Sequence, residues 1–321
     1  AQLFDELRII TEDIGNPKAA GGKKADPQTL ARCGAFFMEH GQYDKAVQLF
    51  VTGGQIQEAV DLCASHKVKI SEEMADRMTP EKGSMDKERR KKILHMLASI
   101  CQKQGSYHLA TKKYTQAGDK VSAMKCLLKS GDTERIIFFA NKGRSRELYV
   151  LAANYLQNLD WQNNPETMKS IITFYTKAKA FERLSGFYDA CAQVEIDEYR
   201  DYEKALGALN EAERYLSKAK DITGNDKAQR LEQLQHRVAL IERFVSARRS
   251  VKSDPAGTVS ACNELLEQKG IDMAVRVGDI FALLIDFYYS QRNYSQALRL
   301  IENMRERKII LSPYLDQEMV Q

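Results

Sequence analysis

The chain has no paired cysteines. Its six, Cys33, Cys63, Cys101, Cys126, Cys191 and Cys262, never form a CxxC step. A structural zinc site wants two close pairs, and a disulfide framework wants a small secreted chain, so both are excluded. The thiols are expected as small buried hydrophobes of a reducing compartment, the cytosol or something continuous with it. Proline is scarce, at six positions in 321 residues, which suits long helices. The longest apolar runs, such as IFALLIDFYY at 280–289, carry an Asp and are too short to cross a bilayer. No basic segment followed by an apolar one opens the chain, so nothing signals secretion. A net charge of +4 is too small over this length to argue for nucleic acid.

Catalytic signatures are missing as well. His40, His66, His95, His108 and His236 never share the i, i+4 spacing of a metal-binding helix face. Neither HExxH nor GxSxG occurs, and GGKKAD at 21–26 lacks the order of a phosphate loop. The carboxylates are scattered among basic partners rather than gathered. No enzyme, no cofactor and no metal are expected.

What the chain does have is a period. Gly105, Gly118 and Gly131 stand thirteen residues apart, with Ala110, Ala123 and Ile136 five residues beyond each. Gly supplies the positive φ that closes a helix, and Asp119 or Asp132 behind it can cap the next one. The spacing is one short helix and one turn, repeated. From Pro27 the 34-residue tetratricopeptide pattern runs in full. Leu30, Cys33, Gly34 and Phe37 mark the first helix, and Gly41, Tyr43, Ala46, Phe50 and Gly53 the second. Small residues at the eighth and twentieth positions are expected to meet where the two helices cross, with aromatics at the seventeenth and twenty-fourth filling the groove beside them.

The register returns from Lys91, Pro165 and Gly278. Ile172, Leu184 and Ile285 replace small residues in the last two repeats, which predicts helix pairs set farther apart. Between the repeats lie longer helices at 202–220 and 228–250, and loops are expected at 79–86, 158–164, 222–226 and 269–272. The fold class is all-α, a tetratricopeptide-like helical-repeat superhelix or α-solenoid. It spans 27–311, after a partial helix and linker at 1–26 and before a tail at 312–321 that docks as a final turn or frays. An apolar stripe at Leu3, Leu7 and Ile10 reads as the end of a helix, and a chain that opens in mid-helix suggests a piece of something longer.

Three places are candidates for partner binding. Lys87, Arg89 and Arg90 belong to the one dense basic run, 87–92, at a helix start where the dipole disfavours cations by a few tenths of a kcal/mol. An acidic partner or an anionic membrane surface would use it; otherwise it is a solvated first turn. Trp161, the only tryptophan, either anchors a partner or plugs a gap between stacked repeats. Glu195, Asp197, Glu198 and Asp201 would form an acidic ridge for a basic helix if they face outward together; otherwise they solubilise a turn. The Lys and Asn pair that grips a C-terminal carboxylate in chaperone-type repeats is absent: the equivalent positions hold Ala31 and Ala35, His95 and Ser99, Lys169 and Thr173, Ala282 and Asp286.

The middle of the chain goes beyond a generic repeat. SYHLATKKYTQAG, KSGDTERIIFFA, AANYLQNLDW, GFYDACAQVEIDEY, KALGALNEA, FVSARR and RVGDIFALL resemble the C-terminal solenoid of the intraflagellar transport protein 140 family, over roughly residues 28–310. The strings include Gln193, Glu195, Asp197 and Glu198, which no packing rule requires. The family's N-terminal β-propellers have no counterpart in this sequence. The resemblance implies a non-enzymatic scaffold subunit of intraflagellar transport complex A, acting in retrograde ciliary transport and the ciliary entry of membrane receptors. It implies other complex A subunits as partners, with membrane-receptor cargo or its adaptor beside them and membrane contact at most peripheral. The implied location is the cilium or flagellum and basal body, on the cytoplasmic side. A peptide- or cargo-binding tetratricopeptide adaptor outside cilia is the alternative. A helical repeat reading RNA is disfavoured by the uneven repeat starts at 27, 91, 165 and 278 and the weak net charge.

Overall fold

A computed structural model describes residues 26–220, 222 and 224–316. The stripe at Leu3, Leu7 and Ile10 lies outside the described residues. Those described form sixteen α-helices and no strand, packed in consecutive pairs as an α-solenoid. Many of the helices start by one local rule. Side chains of Asp26, Asp119, Asp132, Asn164 and Asp254 each accept a hydrogen bond from the backbone three residues on, which satisfies a donor the helix leaves orphaned. Pro27, Pro165 and Pro255 follow their caps at the first helical position, where a missing N–H costs nothing. Many of the helices stop at left-handed residues. Gly105, Gly118 and Gly131 take φ of 78°, 81° and 74° as the spacing predicts, while Lys67 and Lys179 make the same turn at 56° and 53° without glycine.

The described residues divide into two compact units, which part between residues 155 and 156. The first holds α1 (Pro27–Glu39), α2 (Tyr43–Thr52), α3 (Ile56–His66), α4 (Glu72–Arg77), α5 (Lys87–Lys103), α6 (Tyr107–Gln116), α7 (Lys120–Ser130), α8 (Thr133–Gly143) and most of α9 (Arg146–Leu156). Leu30, Cys33, Phe37, Ala46 and Phe50 from the first repeat and Leu97, Ala98, Cys101, Ala110 and Tyr114 from the second share one core. Each large apolar side chain so buried contributes roughly 1.5–3 kcal/mol. The groups nearest to a Cβ added at Gly34 belong to the Phe50 ring, starting at 2.9 Å, so the small eighth residue makes room for the aromatic twenty-fourth.

The short helix α4 does not follow from the repeat pattern. It is tied down by polar contacts instead. The Gln104 side chain donates to Val68 O at 2.6 Å and accepts from Ile70 N at 3.0 Å, pinning the extended segment before it. Lys113 on α6 has no exposed surface, and its Nζ donates to Asp76 Oδ1 at 2.7 Å and Thr79 Oγ1 at 2.6 Å.

The second unit holds α10 (Pro165–Ala178), α11 (Phe181–Val194), a π-turn (Glu195–Tyr199), α12 (Tyr202–Lys218), α13 (Asn225–Ser250), α14 (Pro255–Glu267), a 3-10 turn (Ile271–Met273), α15 (Val277–Ser290) and α16 (Tyr294–Glu306). Large residues at both small positions, Ile172 and Leu184, leave α10 and α11 loosely paired, as expected. In the last repeat Ile285 faces a helix that keeps Ala297, and α15 and α16 stay close. One bulky residue is accommodated; two are not. The most extensive packing between two described helices joins α11 and α12, a pairing that no repeat register predicts. Small residues on both helices allow it, and Ser185 Oγ donates to Ala212 O at 2.7 Å across the seam.

Two of the seventeenth-position aromatics pack on the following helix: Tyr43 stacks on His66 of α3 and Phe181 on Tyr215 of α12. Tyr294 meets Tyr289 of its own pair edge-to-face at 5.4 Å and is 56% exposed. The loop at 158–164 falls where the sequence places it, and the long helices run 202–218 and 225–250. Segment 311–316 docks as a turn rather than fraying, with Leu315 buried against Phe281, Ile285 and Met304.

Candidate functional site

The basic run forms the first turn of α5. Asp86 caps it, accepting from Glu88 N at 3.1 Å and Arg89 N at 3.3 Å, which offsets the unfavourable placement of cations there. Lys87, Arg89, Lys91 and Lys92 are exposed. Arg89, Lys91, Lys92 and His95 line a shallow open groove with Glu88. Arg90 is different: it is half-buried and donates through Nε to Pro80 O at 2.9 Å. Its Nη1 reaches Gln116 O at 3.5 Å, so it fastens the 78–86 loop and the end of α6 to α5. The three cations therefore separate into two surface charges and one internal tie.

Trp161 is half-buried in the loop before α10, its ring edge-to-face with Phe187 of α11 at 5.0 Å. That contact fits the packing reading and fixes the loop against the second unit's core.

The four acidic residues do not face outward together. Asp197 and Glu198 are exposed on the π-turn, where Gln193 also donates to Asp197 Oδ2 at 2.9 Å. Glu195 is half-buried, and its Oε2 is enclosed without a hydrogen-bond partner. Asp201 is half-buried as the cap of α12. The backbone N–H of Lys204 holds its carboxyl below 3.8, and Lys204 Nζ sits 3.1 Å away. The physical reason is the extra residue of the π-turn, which turns Asp201 in to cap the next helix. The expected ridge of four carboxylates is reduced to a pair.

Behind that turn lies a polar cluster that pattern reading misses, because its members come from distant parts of the sequence. Tyr202 is buried and donates to Asp279 Oδ2 at 2.6 Å while accepting from Arg276 N at 3.2 Å. Burial first, and then the Asp279 carboxylate, push the phenol well above its ordinary value of 10.0. Arg200 lies 3.6 Å from the other Asp279 oxygen. No single string links 202 to 279.

The arrangement offers surfaces rather than reacting groups. Among the described residues no group of three or more His, Cys, Asp or Glu is placed to hold a metal ion. All six thiols are buried, and burial pushes Cys63 and Cys191 up to about 12 and Cys101 and Cys262 to about 11. No described helix is long and apolar enough to cross a membrane.

Two family models match, one after the other. Residues 2–174 match the tetratricopeptide domain shared by intraflagellar transport proteins 140 and 172. Residues 182–305 match the C-terminal tetratricopeptide domain of intraflagellar transport protein 140. The first match ends inside α10 and the second begins in the first turn of α11. The two matches together cover most of the chain, and the chain belongs to the intraflagellar transport protein 140 family, as a C-terminal tetratricopeptide region of it.

Proposed function

We propose that this chain is a non-enzymatic protein–protein interaction scaffold within intraflagellar transport complex A, serving retrograde ciliary transport and the entry of membrane receptors into the cilium. The observation that carries the reading is the pair of family matches, which together cover most of the chain with tetratricopeptide units of one family. Folds of this kind present wide helical faces to other proteins, and stable contacts of that sort bury about 1,200–2,000 Å². The partners are other complex A subunits, with membrane-receptor cargo or its adaptor as a second class. The site of action is the cilium or flagellum and basal body, on the cytoplasmic side.

Two exposed charge groups are the proposed contacts. Lys87 and Arg89 at the start of α5 meet an acidic surface, and Asp197 and Glu198 on the π-turn meet a basic helix. Arg90 holds the start of α5 to the preceding loop, and Asp201 caps the helix that follows the π-turn. The test is charge reversal in a reconstituted complex, with Lys87→Glu and Arg89→Glu in one chain and Asp197→Lys and Glu198→Lys in another. Each should weaken assembly by about tenfold or more while circular dichroism stays native. Unchanged assembly in both would remove these surfaces from the account.

A further inference from the structure

Segment 311–316 sits in a site with specific chemistry. The Tyr314 ring lies over Gly278, where any Cβ would overlap it. It is flanked by the guanidinium groups of Arg200, 4.6 Å from the ring centre, and Arg276, at 5.1 Å. Its hydroxyl accepts from Arg276 Nε at 3.1 Å and Nη2 at 2.7 Å. Arg200 donates to the Pro313 carbonyl, and Leu315 fills an apolar recess among Phe281, Ile285, Ile301 and Met304. A backbone carbonyl, a phenol and an aliphatic side chain are thus each recognised. Glycine in a helix weakens it by about 1 kcal/mol relative to Ala, and at 278 the space that it leaves is what the aromatic ring occupies.

The same two arginines hold the π-turn from the other side. Arg276 Nη1 donates to Asp197 O at 2.8 Å. Arg200, at φ 52°, is the left-handed residue that ends the turn, a conformation that L side chains adopt at a cost and that surrounding contacts must maintain. Its ion pair with Asp279 and its contacts with Pro313 and Tyr314 supply them.

We propose that this slot is a binding site for a tyrosine-bearing segment of the Pro-Tyr-Leu type, filled in cis by residues 313–315, and that its occupancy fixes the turn that presents Asp197, Glu198 and the exposed Tyr199. A peptide of the same chemistry competes for the slot. Emptying it removes the contacts that hold Arg200 and Arg276 from one side and loosens the turn.

Hydrogen exchange on the full chain tests this. The backbone N–H groups of Arg200 and Asp201 both bond to Glu195 O, so their exchange reports the turn. Tyr314→Ala should raise it about tenfold, and a millimolar peptide of residues 311–316 should restore protection. Tyr314→Phe keeps the ring and loses the hydroxyl bonds, and should raise exchange about threefold; it decides alone if Tyr314→Ala does not fold. Faster exchange at 311–316 with no change at 200 and 201 would show the segment to be a passenger. Failure of the peptide to restore protection would overturn the binding site.

Discussion

Replacing Asp76 with Ala should destabilise the first unit out of proportion to a half-exposed surface residue. The Lys113 ammonium is fully buried and donates to Asp76 at 2.7 Å and Thr79 at 2.6 Å. Stranding a cation in a dry site costs about 3–5 kcal/mol. Asp76 is 48% exposed and also meets Lys112 at 3.0 Å, so water reaches one side of the pair and the expected loss falls to about 2 kcal/mol. Lys113→Met keeps the volume and removes the charge, and should cost less than about 1 kcal/mol. The double variant should match Lys113→Met, leaving a coupling of about 2 kcal/mol. Acid should abolish the difference. Lys113 first, and then Lys112, hold the Asp76 carboxyl below its ordinary 3.8. A depressed carboxylate contributes fully above its unfolded value, and that stability is lost as pH falls through the folded one. Urea titration by circular dichroism, with hydrogen exchange in α4 and α6, measures all of this. Asp76→Ala within about 0.5 kcal/mol of the parent, or losses that simply add, would refute the reasoning.

Three further outcomes are expected. Gly34→Ala places a Cβ 2.9 Å from the Phe50 ring, and should lower stability by about 1 kcal/mol despite its better helix propensity, read as a lowered thermal midpoint. Tyr202→Phe leaves Asp279 without its 2.6 Å donor and should cost about 1–3 kcal/mol; fluorescence of Trp161, which packs on Phe187 in the same unit, reports the shift in urea midpoint. The six buried thiols, with Cys63 and Cys191 pushed up to about 12, should react slowly with a disulfide reagent at pH 8 and all together once urea unfolds the chain. Rapid labelling of the native chain would contradict the packing described for them.

The sequence was most legible where local rules decide. Asp119 and Asp132 cap, Gly105 and Gly118 turn, and Leu30, Cys33 and Phe37 bury, because each depends on residues within one helical turn or one repeat. It was least legible where partners are distant. The pairing of Lys113 with Asp76 spans 37 positions, and that of Tyr202 with Asp279 spans 77, so neither leaves a periodic trace. The acidic group shows a middle case. Four carboxylates in seven residues were visible, but the π-turn that splits them into an exposed pair and a half-buried pair follows from backbone geometry.

The central claim is that this solenoid is a dock within complex A. The direct measurement is co-expression of the chain with the remaining complex A subunits, followed by affinity capture and size-exclusion chromatography. The account predicts one stable peak containing the chain and its partners, weakened by the charge reversals at Lys87 and Arg89 or at Asp197 and Glu198. A chain that is helical by circular dichroism yet elutes alone would contradict it.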